Sequence, residues 1–248
     1  MLILGIDTSG RQGSVALLQT QGEELIPLGL SPLSGGQYSE LLLSSIAGLL
    51  AQHGLQRSSI GLIGVASGPG SFTGLRIAIA TVKGLAEAFA IPVVAVSVLE
   101  AIADASGAQG RAIAAIDAQR SEIFWGEYNL ESATQPASPE PASPRLAPKS
   151  ATMLSEALAS FPDFTSSIAS AQPPPEVFTP DAALAARLHQ ANVDAVVLAS
   201  LSAEAFARIA YRKFLAGVRA DVATLDANYL RRSDAEIFPA PKPSGAPQ

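Results

Sequence analysis

Two apolar runs in this chain each end on an acid, turn back through polar residues and continue into a second apolar run. Leu2 to Ile6 leads into Asp7-Thr8-Ser9-Gly10-Arg11-Gln12-Gly13 and then Ser14 to Leu18, while Ala112 to Asp117 leads through Ala118–Ser121 into Glu122 to Tyr128. Short apolar runs bounded by turn formers read as strands around a tight connection. Asp7 and Asp117 stand 110 positions apart. Taken as a repeat, the two units make two related lobes that face each other. Taken as two instances of a common strand-turn-strand unit, they imply only strands in a mixed sheet.

Between the units the pattern alternates. A third strand is expected at Glu24 to Leu30, ended by the Pro/Gly/Ser stretch Ser31 to Gly36. Tyr38, Leu41, Leu42, Ile46, Leu49 and Leu50 recur at helical spacing, which predicts a helix from Ser39 to His53 ending near Gly54. Ile60 to Ala66 reads as a buried strand, Gly68 to Gly74 as a glycine-rich loop, Leu75 to Ala90 as a helix and Pro92 to Val96 as a strand. Strands alternating with helices indicate an α/β chain with helices covering mixed sheets. Further helices are expected at Thr152 to Ser160, Pro180 to Ala191 and Ser202 to Ala216. Glu131 to Ser150 holds five Pro among Ser and Ala, a composition for an exposed loop; Gln172-Pro173-Pro174-Pro175 is a second break. The tail after Phe238, with Pro at 239, 241, 243 and 247, predicts no packed element. These boundaries divide the chain into an N-terminal lobe, 1–104, a C-terminal lobe, 105–217, and an extension, 218–248. The last helix of the second lobe, about 202–217, is free to pack back on the first.

Composition narrows the chemistry. The 248 residues include no Cys, so disulfides, thiolate metal sites and cysteine nucleophiles are excluded. The N-terminus lacks the basic and apolar regions of a signal peptide, and no window approaches the roughly 18 apolar residues of a membrane span. A cytoplasmic location and no membrane partner are therefore expected. A net charge of -6 opposes autonomous nucleic-acid binding, which depends on Lys and Arg neutralising phosphates.

Ser67-Gly68-Pro69-Gly70-Ser71-Phe72-Thr73-Gly74-Leu75-Arg76-Ile77 lies between an expected strand and an expected helix, where free backbone N–H groups receive anions. A Walker loop would need Lys followed by Ser or Thr, and this one offers Leu75-Arg76. The dinucleotide fingerprint GxGxxG is also missed, since Gly68, Gly70 and Gly74 give GxGxxxG. Two readings stay open: glycines that permit a tight turn and close backbone packing, or a ligand-binding loop.

The run GPGSFTGLRI, with Lys83-Gly84-Leu85-Ala86 beyond it, resembles the signature of the TsaB (YeaZ) family of tRNA threonylcarbamoyladenosine biosynthesis. The resemblance extends to Ile6-Asp7-Thr8-Ser9, Ile91-Pro92-Val93, Val96-Ser97-Val98-Leu99, Ile116-Asp117-Ala118 and Tyr229-Leu230-Arg231, and it is weak from about 131 to 200. It implies a duplicated two-lobe fold of the actin/Hsp70/sugar-kinase (ASKHA) type. It also implies a non-catalytic subunit that docks TsaD, works with the ATPase TsaE, and supports threonylcarbamoyl transfer to an adenosine in tRNAs reading codons that begin with A. Contact with tRNA would then be indirect, through the complex, and a homodimer is expected when the chain is alone. No tightly bound cofactor is implied, with ATP or ADP expected only in the complex.

In actin-like folds the acid ending the first strand of each lobe faces the interlobe cleft, which nominates Asp7, with Thr8 and Ser9, and Asp117. The alternative for each Asp is a bond to its own turn. The helix from Leu75 is apolar nearly all round, so cover on more than one side is expected. Leu75, Ile79 and Val82, with Leu42 and Ile46 of the first helix, are the expected partner surface, and Arg76 a contact at its edge. No metal site is expected. The relatives that bind metal carry two His four apart, whereas His53 and His189 stand alone and Gln37 occupies a position where many TsaB relatives have His. Ser9 and Ser71 have no neighbouring base in sequence, which weighs against a glycoprotease-like hydrolase. The second hairpin, Asp117 to Ser121, lacks the glycine that a stand-alone actin-like ATPase would need there. Arg208, Arg212, Lys213, Arg219, Arg231 and Arg232 offer a modest basic edge for direct tRNA binding, though in an acidic protein such charges read as solvated helix faces.

Overall fold

The computed structural model describes residues 1–22, 24–131, 150–228 and 230. At its centre lies β1 (Leu2–Asp7), buried along its whole length. Such complete burial requires strands on both sides and cover on both faces. β2 (Gln12–Gln21) pairs antiparallel with β1, β3 (Glu24–Ser34) with β2, and β4 (Ile60–Gly68) and β5 (Val93–Ser97) add in parallel, giving the order β3-β2-β1-β4-β5. β3 runs on through the stretch expected to end it. It holds Pro27 and Pro32 because it is an edge strand, where a missing N–H leaves no central ladder bond unmade.

The second half repeats this plan. β6 (Gly110–Gln119) pairs antiparallel with β7 (Glu122–Glu131), β7 with β8 (Ser150–Ser160), and β9 (Glu176–Thr179) and β10 (Ala195–Val197) add in parallel, in the order β10-β9-β6-β7-β8. Position for position this is the first sheet again: a central strand, two antiparallel strands on one side, two parallel strands on the other. The recurrence of Ile-Asp at 110 residues is thus a structural repeat, and the fold is the duplicated α/β fold of the ASKHA type.

β8 corrects the helix expected at Thr152 to Ser160. The segment is rich in helix formers, but ten of its eleven residues pair with β7, and tertiary pairing outweighs differences of a few tenths of a kcal/mol per residue in propensity. Four short elements gave no clear signal: α3 (Val98–Ala105), α4 (Phe161–Ser170), β9 and β10.

Helices complete the layers. α1 (Tyr38–Gln52) and α2 (Phe72–Phe89) cover the outer face of the first sheet, with Leu42, Ile46, Leu75, Ile79 and Val82 packed on Leu4, Leu17 and Val65. α4 and α5 (Ala182–Gln190) cover the outer face of the second sheet through Phe164, Ile168, Leu184 and Leu188. Between the sheets lie α3 and α6 (Ala203–Leu215), whose Leu99, Ile102, Phe206 and Ala207 share one core with Ile3, Val96 and Tyr128. α3 packs mostly on the second sheet, although the boundary at 104–105 falls at its end.

α6 lies on β1, β2 and β4, back on the first lobe. Two glycines permit this approach. A Cβ on Gly5 would stand 2.1 Å from the Ala203 carbonyl oxygen, and one on Gly64 would stand 2.5 Å from Ala210 Cβ. The Ala203 N–H at the start of the helix donates to Ser14 Oγ at 2.8 Å, satisfying one of the N–H groups that a helix terminus leaves open. The Pro-rich loop between β7 and β8, the tail after Phe238, and Tyr229, Arg231 and Arg232 lie outside the described residues.

Candidate functional site

A cleft of about 2040 Å³ opens between the lobes, lined by the Asp7 and Asp117 turns, the glycine-rich loop, Tyr38 and the start of α6. Asp7, at the C-terminal end of β1, is only 5% exposed. One of its oxygens, Oδ1, accepts from both the Ser9 N–H, at 2.9 Å, and Ser9 Oγ, at 2.6 Å. Burial pushes the carboxyl above the ordinary carboxylate range, and the Ser9 bonds partly oppose it. Asp117 holds the matching place at the end of β6. It takes the Gln119 N–H on Oδ1 and Gln119 Nε2 on Oδ2, both at 3.0 Å. Each acid lines the cleft and also closes its own Asx turn.

Thr8 is corrected. Its side chain is fully buried, and Oγ1 donates to the Gly74 carbonyl at 2.8 Å rather than reaching the cleft. The hairpin after Asp117 turns through Gln119, Arg120 and Ser121, all left-handed at φ 63°, 54° and 58°. That conformation costs a non-glycine residue about 1–2 kcal/mol.

The glycine-rich loop is held by packing. Gly68 sits at φ +107°, which favours glycine. A Cβ on Gly70 would stand 2.4 Å from the Ser9 carbonyl oxygen, and one on Gly74 would stand 2.0 Å from that of Thr8. The Ser71 N–H donates to Ser9 O at 2.7 Å, and Ser71 Oγ accepts the Gly74 N–H at 3.2 Å as the N-cap of α2. With Ser71 as cap, α2 begins at Phe72, three residues before the expected start. These glycines lock the loop onto the Asp7 turn. The Arg76 guanidinium lies 3.7 Å from the centre of the Phe72 ring at the loop's outer rim.

The expected partner side chains are also corrected. Leu42, Ile46, Leu75, Ile79 and Val82 are between 0% and 5% exposed and form the core of their own lobe. α2 buries one stripe, Leu75-Ala78-Ile79-Val82-Leu85-Ala86, so its own lobe covers a single side. The opposite face leaves Arg76, Ala80, Gly84 and Ala88 exposed.

Among the described residues, no group of three or more His, Asp or Glu is arranged to hold a metal ion. His189 pairs with Asp194 at the surface, at 3.2 Å. The described part of the basic edge is internally paired: Arg208 with Glu204, Arg212 with Asp104 and Lys213 with Glu100, while Arg219 lies over the Phe214 ring.

One cluster escaped the sequence reading. Glu156 of β8 accepts from Ser97 Oγ and Tyr128 OH on Oε1, and from Asn228 Nδ2 on Oε2 at 2.7 Å. Glu156 is the only charged residue in β8. That signal was legible, but only if the segment is read as a strand.

The family model for "TsaD: tRNA N6-adenosine threonylcarbamoyltransferase" matches residues 32–237. The chain is 34% identical over 134 residues to the tRNA threonylcarbamoyladenosine biosynthesis protein TsaB of Escherichia coli (strain K12), covering 53% of this chain and 56% of that one. A Bacillus subtilis (strain 168) protein of the same description is 33% identical over 133 residues, with 53% and 56% covered. These matches span little more than half the length of the curated relatives. The solved structure of YeaZ from Pseudomonas aeruginosa superposes with a TM-score of 0.68 at 28% identity, covering 92% of this chain and 99% of that one. The chain belongs to the family that this model describes, within its TsaB (YeaZ) group.

Proposed function

We propose that the chain takes part in making threonylcarbamoyladenosine in tRNA, as a non-catalytic subunit that docks a TsaD-type partner through the exposed face of α1 and α2. The observation that carries this reading is a pair of glycines. Gly48 inside α1 and Gly84 inside α2 are exposed, and a Cβ at either would meet none of the described residues within 4 Å. Glycine inside a helix costs about 1 kcal/mol relative to alanine. Among the described residues, nothing in the chain's own packing uses these two. Close approach of a partner backbone gives them a purpose, and the neighbouring exposed Leu43 and Phe72 supply apolar area for an interface core. The same face serves a homodimer when the chain is alone and the heterodimer when the partner is present, with a TsaE-type ATPase joining the complex.

The loop supports a supporting role over catalysis. Its glycines lie against the backbone of Ser9 and Thr8, which gives them a packing role without a ligand, and Ser9 and Ser71 bond Asp7 and Gly74 rather than a histidine. The internal pairing of Arg208, Arg212 and Lys213 favours tRNA held by a partner. ATP or ADP, on this reading, is bound only in the complex.

Size exclusion with light scattering, on the chain alone and mixed with a TsaD-type subunit from a matched source, tests the docking. A dimer alone that exchanges into a heterodimer, with both lost in Gly84→Arg, is the expected result. A monomer under both conditions contradicts the proposal.

A further inference from the structure

Residues 218–228 return from the end of α6 to the first lobe. The Ala220 N–H donates to Val93 O at 2.8 Å on the open edge of β5, and Lys83 Nζ of α2 donates to Ala223 O at 3.1 Å. Leu225 and Ala227 are buried in the core beneath α2. The segment then reaches Asn228, which bonds in two directions. Its N–H donates to Ser67 O at 2.7 Å, at the root of the glycine-rich loop. Its side-chain Nδ2 donates to Glu156 Oε2 at 2.7 Å.

Glu156 belongs to the second sheet, and its other oxygen takes donors from both lobes. Tyr128 OH comes from β7, and Ser97 Oγ comes from the last residue of β5, where it also caps α3. Tyr128 is fully buried, and burial with the adjacent carboxylate drives its hydroxyl pKa far up. It therefore stays a donor at any working pH. Beside Asn228, Gly68 leaves no slack: a Cβ there would stand 3.2 Å from Asn228 O and 2.9 Å from Leu75 Cδ1.

We propose that Asn228 is a latch between the lobes and the glycine-rich loop. Its side chain reads the position of the second sheet through Glu156, and its backbone holds Ser67. The seating of the loop on the Asp7 turn thus depends on how the two lobes sit. A movement that parts Asn228 from Glu156 loosens residues 67–74, next to the proposed docking face. Asn228 and Glu156 are positioning residues, and their effect on activity rests on the function proposed above, whereas the coupling itself does not.

Hydrogen exchange over residues 67–74 of the full chain tests the latch. Asn228→Asp sets a carboxylate against Glu156, and exchange in this segment is expected to rise about tenfold or more, with α1 and the second sheet unchanged. Adding Glu156→Gln to that variant restores a donor–acceptor pair and is expected to return the segment to its original rate. Should Asn228→Asp not fold, Asn228→Ala removes the side-chain bond without adding charge and is expected to raise exchange in the same segment. Unchanged exchange at 67–74, a rise spread evenly over the molecule, or failure of the double substitution to restore the rate each overturns the latch. The functional reading fails separately, if the unaltered chain makes no difference to threonylcarbamoyl transfer while the exchange pattern is as expected.

Discussion

Asp7 and Asp117 hold equivalent places in the two repeats but not equivalent surroundings. Asp7 is buried with both Ser9 donors on one oxygen, whereas Asp117 is half-buried with a Gln119 donor on each oxygen. Because burial raises the Asp7 pKa, the folded chain holds that proton more tightly than the unfolded chain. The stability attributable to Asp7 is therefore full below the ordinary Asp value of about 3.9 and is lost as pH rises through the elevated one. Asp7→Asn keeps an acceptor for Ser9. It is expected to raise the thermal midpoint at pH 7 and to flatten the fall in stability above pH 4. A lower midpoint with an unchanged pH slope would mean that the Ser9 bonds outweigh burial.

At Gly74 the constraint is steric. Gly74→Ala would place a methyl 2.0 Å from a backbone oxygen, and a loss of about 2–4 kcal/mol is expected in denaturant unfolding. A loss under about 0.5 kcal/mol would show that the loop yields easily. The acids and the glycines were legible in the sequence, because turn formers after a strand and glycines before a helix carry local signals. The inward turn of Thr8 was not, since its partner Gly74 lies 66 residues away.

Elements were legible in proportion to their length and the strength of their period. α1, α2, α5 and α6 stand close to where their apolar spacing put them. β8 did not, because a strand made of helix formers is decided by its neighbour rather than by its own residues. The five apolar side chains assigned to a partner surface show a related limit: periodicity finds the apolar stripe of a helix but not which body covers it. In α2 the stripe belongs to the lobe's own core, and the remaining face is marked by what it lacks. Gly48→Ala and Gly84→Ala are each expected to stabilise the isolated chain by about 0.5–1 kcal/mol, while weakening self-association and partner docking. Thermal or denaturant unfolding of a dilute sample, set beside sedimentation of a concentrated one, separates the two effects. Stabilisation without any loss of association would remove the reason for placing a partner on this face.

At the scale of the whole molecule, duplication explains why the site is a cleft. Two sheets of matching order each carry an acid at the end of their central strand, and α3 and α6 packed between them hold the two turns facing each other. The repeat was visible in sequence only as Ile-Asp and its flanking strands, since the rest of the two lobes has diverged. The return of α6 and of residues 218–228 to the first lobe could be suspected from chain order but not located, because their partners, Gly5, Gly64, Val93 and Ser67, are all more than 100 residues distant.

The central claim, that this chain supports a reaction it does not itself catalyse, is tested most directly by reconstituted threonylcarbamoyl transfer to tRNA. The mixture holds TsaD- and TsaE-type proteins from a matched source, the adenylate-forming enzyme, threonine, bicarbonate and ATP, with this chain added or left out. Modification that requires the chain, together with no modification by the chain and the adenylate-forming enzyme alone, is the predicted result. Equal modification with and without it would contradict the account.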